Sequence, residues 1–256
     1  MQVTVNGINT DYYEQGTGEP VLILPGWSAT SPAYATITKT LAEKFRVIVL
    51  DLPGFGVTPE PPEPWCVDDY VDFTLAFIQQ RGLDGLMLLG HSFGGRIIIK
   101  LLSRPALPFT VRQVVLVDSA GIKPTPTPEQ KKKSEQYNRL KKLYGGKLIA
   151  SLCPSAMEKL RQKYGSADYA AATPVMRQTL VKTVNEDLTE LVRNVTPGAL
   201  LIWGRDDTAT PVADAEKMKA MIPGASLQII DGAGHFPFID QPFEFRKTLC
   251  RYFEID

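Results

Sequence analysis

Short apolar runs bounded by turn residues alternate with longer amphipathic stretches along most of this chain, and no other feature narrows the fold as much. Runs such as Val21-Leu22-Ile23-Leu24 and Leu86-Met87-Leu88-Leu89 contain no polar position, so both faces of each must be covered. Helices packed on both sides of a parallel sheet provide that cover. Candidate strands fall at residues 3–5, 11–14, 21–24, 47–50, 86–89, 114–117, 200–203 and 227–230, the first two as an antiparallel pair around Asn6-Gly7. Helical periodicity covers residues 34–44, 68–80, 93–103, 212–221 and 241–253. The expected class is α/β, a mostly parallel eight-stranded sheet flanked by helices.

The alternation breaks once. From Gly121 to Pro197 no buried strand appears, and Lys/Glu-rich stretches punctuated by apolar residues occupy 129–148, 155–164 and 174–193. A structureless loop of that length does not suit a compact domain, so a helical cap is expected over 122–197, inserted into a core made of 1–121 and 198–256.

Lys plus Arg equals Asp plus Glu at 28 each, so no net field draws the chain to nucleic acid or an anionic membrane. A small molecule is the expected partner. No apolar run approaches the ~20 residues that span a bilayer, and the N-terminus reads as strand and turn, without the basic and apolar regions of a leader. Cys66, Cys153 and Cys250 are odd in number and lack CxxC spacing, which suits reduced thiols and a cytoplasmic setting. With two histidines and no Gly-rich phosphate loop, neither a metal nor a cofactor is expected.

The chemistry sits directly after the run 86–89. Gly90-His91-Ser92-Phe93-Gly94 is G-x-S-x-G between a strand and a helix. A serine on so sharp a turn is strained, and the flanking glycines let neighbouring main chain pass. The turn sets the Ser92 hydroxyl at the carboxyl end of the sheet, beside the N–H groups that open the next helix. The hydroxyl needs a base. His91 is adjacent and diverges at a tight turn, so it reads as structural, whereas His235 lies in a loop after strand 227–230. A carboxylate must orient that imidazole, and Asp206, Asp207 and Asp118 all follow strands at the same sheet edge.

These segments, together with Pro25-Gly26-Trp27, Asp51-Leu52-Pro53-Gly54-Phe55-Gly56 and Trp203-Gly204-Arg205-Asp206-Asp207, resemble the α/β-hydrolase superfamily over essentially the whole chain. The order Ser, Asp, His is that of the fold. The resemblance implies that the acid is the aspartate four residues before Pro211, namely Asp207. It implies an oxyanion hole from the N–H groups of Trp27 and Phe93, although the first loop reads Pro25-Gly26 where the family usually has His-Gly. It points further to small capped esterases akin to carrier-protein methyl esterases, lactonases and carbon–carbon bond hydrolases.

The expected activity is hydrolysis of a carboxylic ester through an acyl-enzyme on Ser92. Lactonase, carbon–carbon bond hydrolase, peptidase and cofactor-free perhydrolase or haloperoxidase chemistry are alternatives that use the same residues, and a ligand-binding protein on the same fold is the non-enzymatic one. Trp27, Phe93, Trp65, Phe236, Met157 and Leu160 are expected to line an apolar substrate pocket. The basic stretch Lys131-Lys132-Lys133 with Arg139, Lys141 and Lys142 reads as a solvated helix face, with docking of an acidic carrier protein as the sharper alternative.

Overall fold

The computed structural model describes residues 1–123, 128–144 and 166–256. The eight strands are β1 (Gln2–Val5), β2 (Ile8–Gln15), β3 (Pro20–Leu24), β4 (Arg46–Leu50), β5 (Leu86–His91), β6 (Val111–Val117), β7 (Leu200–Gly204) and β8 (Ser226–Ile230). They form one sheet in the order β1-β2-β4-β3-β5-β6-β7-β8. β1 and β2 are antiparallel, β2 is antiparallel to β4, and every later pairing is parallel. The expected mostly parallel eight-stranded sheet is therefore the one observed.

Successive side chains on a strand point to opposite faces, and here both faces are apolar. Leu22, Leu24, Ile48, Leu50, Leu88 and Leu116 pack toward α2 (Val67–Gln80) and α3 (Phe93–Leu101). Their neighbours Val21, Ile23, Val47, Val49, Leu89 and Val115 pack toward α1 (Ala35–Leu41) and the C-terminal helix. Each such side chain stabilises the fold by about 1.5–3 kcal/mol when fully buried.

Two of the departures from the expected pattern have local reasons. β2 runs twice the expected length because its first half pairs with β1 and its second with β4, while its exposed polar residues mask the pattern. The expected helix 241–253 is preceded by a separate short turn. Pro242 disfavours helical backbone at Gln241, which sits at φ −133° and ψ 63° between helices Pro237–Asp240 and Pro242–Phe253.

Between β6 and β7 the structure places α4 (Pro128–Tyr144), α5 (Ala167–Ala171), α6 (Pro174–Asn185) and a 3-10 segment, Thr189–Asn194. Ser166 and Thr173 cap α5 and α6, their side-chain oxygens accepting the N–H groups of Tyr169 and Met176. The expected helix 174–193 thus breaks after Asn185. The expected stretch 155–164, residues 145–148, and Met157 and Leu160 lie outside the described residues. α6 is tied to the core by Arg96 of α3, whose guanidinium donates to the carbonyls of Val184 at 3.3 Å and Glu186 at 2.8 Å. No helix among the described residues is long and apolar enough to cross a membrane.

Candidate active site

Strands that run parallel end at a common edge, so the loops after β3, β5, β6, β7 and β8 open on one side of the sheet. The loop after β5 is the tightest. Ser92 stands at φ 50° and ψ −109°, a backbone conformation that L side chains rarely adopt. Its N–H donates to the Val117 carbonyl at 3.0 Å, while its own carbonyl accepts from Gly95 and Ala120. The turn closes because Gly94 lies against the Leu24 and Pro25 carbonyls, where a Cβ would collide with main chain.

The loops after β7 and β8 are joined by main-chain hydrogen bonds, Arg205 N–H to Ile230 and Asp206 N–H to Ala233. That pairing sets Asp207 beside His235. The Nδ1–H of His235 donates to Asp207 Oδ2 at 2.8 Å, and Nε2 stands 2.8 Å from Ser92 Oγ. Asp207 Oδ1 also accepts the N–H groups of Ala209 at 2.7 Å and Thr210 at 3.1 Å, and Oδ2 accepts the Thr210 hydroxyl at 2.6 Å. Burial pushes the Asp207 pKa up, but the hydrogen bonds from His235 and Thr210 outweigh it and hold the carboxyl well below the usual range. An ionised acceptor at Nδ1 fixes the His235 tautomer and leaves Nε2 free to take the Ser92 proton.

Of the three candidate acids, Asp207 alone hydrogen-bonds His235. Asp206 is exposed and contributes its N–H to the loop pairing. Asp118 is fully buried at φ 41°, and its Oδ1 accepts the Gly204 N–H at 2.9 Å. Burial, with the Asp207 carboxylate beside it, pushes its pKa up to about 9. Donor atoms of Asp118, Asp207 and His235 lie within 4.8 Å of one another, close enough to share a cation, but the His235–Asp207 bond already uses two of them.

Two N–H groups close to Ser92 have no acceptor among the described residues. Phe93 is the first residue of α3 and has no intrahelical partner, and no acceptor among the described residues takes the Trp27 N–H. Beside them a cleft of about 300 Å³ reaches Ser92 and His235, lined also by Trp27, Phe93, Leu180 and Val184. Trp27 divides it from a second hollow of about 230 Å³ over Gly54, Phe55 and Met176.

Trp65 and Phe236 are not among the described lining residues of either hollow. Trp65 packs edge-on against Tyr70, which separates it from Phe93, and Phe236 packs against His91 and His235 behind the base. Sequence reasoning passed over Tyr34, Arg96 and Thr210. Thr210 alone had a local cue, standing three residues after Asp207 as a turn-forming hydroxyl.

A family model described as the alpha/beta hydrolase family matches residues 21–248. The 2-hydroxy-6-oxo-2,4-heptadienoate hydrolase of Pseudomonas putida is 25% identical over 257 residues, covering 93% of this chain and 90% of that protein. The pimeloyl-(acyl-carrier protein) methyl ester esterase of Nitrosomonas europaea is 26% identical over 250 residues, covering 90% and 94%. Among solved structures, an esterase from Exiguobacterium antarcticum shares the fold at a TM-score of 0.74 and 23% identity, with 98% of each chain covered. With that family match and a mostly parallel eight-stranded sheet that gathers its loops at one edge, the chain belongs to the alpha/beta hydrolase family.

Proposed function

We propose that this chain is a serine hydrolase that moves an acyl group from a carboxylic ester to water through an acyl-enzyme on Ser92. One observation carries the reading: Ser92 Oγ, the two ring nitrogens of His235 and Asp207 Oδ2 stand in line at 2.8 Å spacings. As Oγ attacks the carbonyl carbon, His235 Nε2 takes its proton and Asp207 stabilises the imidazolium. The oxyanion is held by the Trp27 and Phe93 N–H groups. On collapse, the leaving alcohol departs with the proton from Nε2. Water then follows the same course, giving a proton to His235, attacking the acyl carbon and releasing Ser92.

The segment 122–197 acts in this reading as a cap that selects substrate without supplying chemistry. Support comes from the placement of Ser92, Asp207, His235 and the Trp27 and Phe93 N–H groups at the sheet edge, outside it. A second substrate class, a 2-hydroxy-6-oxo-dienoate, is favoured by the similarity to the heptadienoate hydrolase. The similarity to a carrier-protein ester esterase leaves an acyl group on an acidic carrier as a further substrate, for which the exposed lysines of α4 offer a basic face.

Treatment with a fluorophosphonate, followed by peptide mapping, tests the reading. Labelling is expected at Ser92 in the parent chain and is expected to vanish in Ser92→Ala, together with a loss of at least ~10³-fold in hydrolysis of an activated ester. A folded parent chain that takes no label, or takes it elsewhere, refutes the mechanism. Comparing kcat/KM for p-nitrophenyl esters and for a 2-hydroxy-6-oxo-dienoate decides between the two substrate classes.

A further inference from the structure

Behind the reacting groups lies a second line of hydrogen bonds that the mechanism does not use. The Gly26 N–H donates to the Tyr34 hydroxyl oxygen at 2.8 Å. That hydroxyl stands 2.9 Å from His91 Nδ1, and His91 Nε2 stands 2.8 Å from the main-chain carbonyl of His235. The direction of every bond follows from its ends. A carbonyl can only accept, so His91 Nε2 carries a proton. His91 is fully buried, and burial, with His235 close by, pushes its pKa down to about 3, so the ring is neutral and Nδ1 is bare. Tyr34 must therefore donate to Nδ1, which leaves its oxygen lone pairs for Gly26.

The line joins three loops. Gly26 precedes Trp27 in the loop after β3, and Pro25 before it has no N–H, so the Gly26 N–H is the first main-chain donor beyond the strand. His91 precedes Ser92, and the line ends on the main chain of His235. Contacts hold the parts in register: a Cβ on Gly26 would stand 2.7 Å from His91 Nδ1, and Tyr34 stacks on Phe238 with ring centroids 5.2 Å apart.

We propose that Tyr34 and His91 are positioning residues, a buried hydrogen-bonded strut that sets the distance between the oxyanion-binding loop and the general base. This rests on the serine-hydrolase reading of the site. Tyr34→Phe removes one oxygen and keeps the ring on Phe238. It leaves the Gly26 N–H and His91 Nδ1 buried without partners, so the loop that carries Trp27 loses its anchor.

The test measures kcat and KM for an activated ester in the parent and in Tyr34→Phe, together with affinity for a trifluoromethyl ketone, which forms a tetrahedral adduct. We expect kcat to fall about 10–100-fold with KM within about twofold, and the adduct to weaken by a similar factor. A kcat equal to the parent's, or a change confined to KM, overturns the strut. ¹⁵N spectra of histidine-labelled parent chain give an answer that does not depend on the variant folding. His91 must appear as the neutral Nε2–H tautomer from pH 5 to 9, and the Nδ1–H tautomer or a cationic ring overturns the proposal. Fluorophosphonate labelling separates the two readings. A parent labelled at Ser92 with an unaffected Tyr34→Phe removes the strut alone, whereas a parent without label removes the hydrolase reading and the strut together.

Discussion

A buried carboxyl group with neither a cation nor enough hydrogen-bond donors beside it stays neutral, and Asp118, which accepts only the Gly204 N–H, meets that condition one loop away from Asp207. Its Oδ2 has no hydrogen-bond partner among the described residues. With its pKa raised to about 9, the group is protonated in the fold and ionised in the unfolded chain over the range between about pH 4 and 9. Its contribution to stability is therefore complete below about pH 4 and is lost as pH rises through about 9. Asp207, with its pKa depressed, acts in the opposite sense and only below pH 4. An asparagine at 118 would keep an oxygen for the Gly204 N–H and would not ionise. Asp118→Asn should thus leave ester hydrolysis within about threefold of the parent, and its advantage in Tm should grow by about 3–5 °C for each pH unit between pH 5 and 8. A constant difference across that range would mean that Asp118 is charged in the folded chain.

At the scale of elements, α3 is seated on β3 by the absence of one side chain. Gly94 lies in a helix, where alanine is ordinarily better by about 1 kcal/mol. Its Cα faces the Leu24 and Pro25 carbonyls, main-chain groups that cannot swing aside. Gly94→Ala should destabilise the chain by about 2–4 kcal/mol in urea titration, against the propensity scale. Gly82→Ala is the control. Gly82 has φ 59° and open space around its Cα, so alanine there should cost only the ~1–2 kcal/mol of left-handed backbone. Equal losses at the two sites would show that close packing of α3 on β3 is not what the glycine provides.

For the molecule as a whole, the proposed division of labour sets chemistry on the sheet edge and selection on the segment between β6 and β7. Val184 of α6 tests it well, being 47% exposed while lining the Ser92 cleft. Val184→Phe should lower kcat/KM for an aromatic ester relative to an acetyl ester by about tenfold, within the ~1–3 kcal/mol that a hydrophobic contact commands. Labelling of Ser92 should persist. A uniform loss across acetyl, hexanoyl and benzoyl esters would place α6 in the chemistry.

The sequence by itself determined the sheet, because runs such as Val21-Leu22-Ile23-Leu24 are buried on both faces whatever surrounds them. It also determined Ser92 and His235 as candidates, since a glycine-flanked turn and a loop histidine announce themselves over a few residues. It left Asp118, Asp206 and Asp207 open until family resemblance favoured one. Tertiary structure alone decided that Asp207 meets the imidazole, that Asp118 is buried beside it, and that Trp65 packs on Tyr70 and Phe236 on His91. Tyr34 shows the physical reason most clearly. Its partner His91 is 57 positions away, and a hydrogen bond between distant residues leaves no periodicity and no local pattern in the chain.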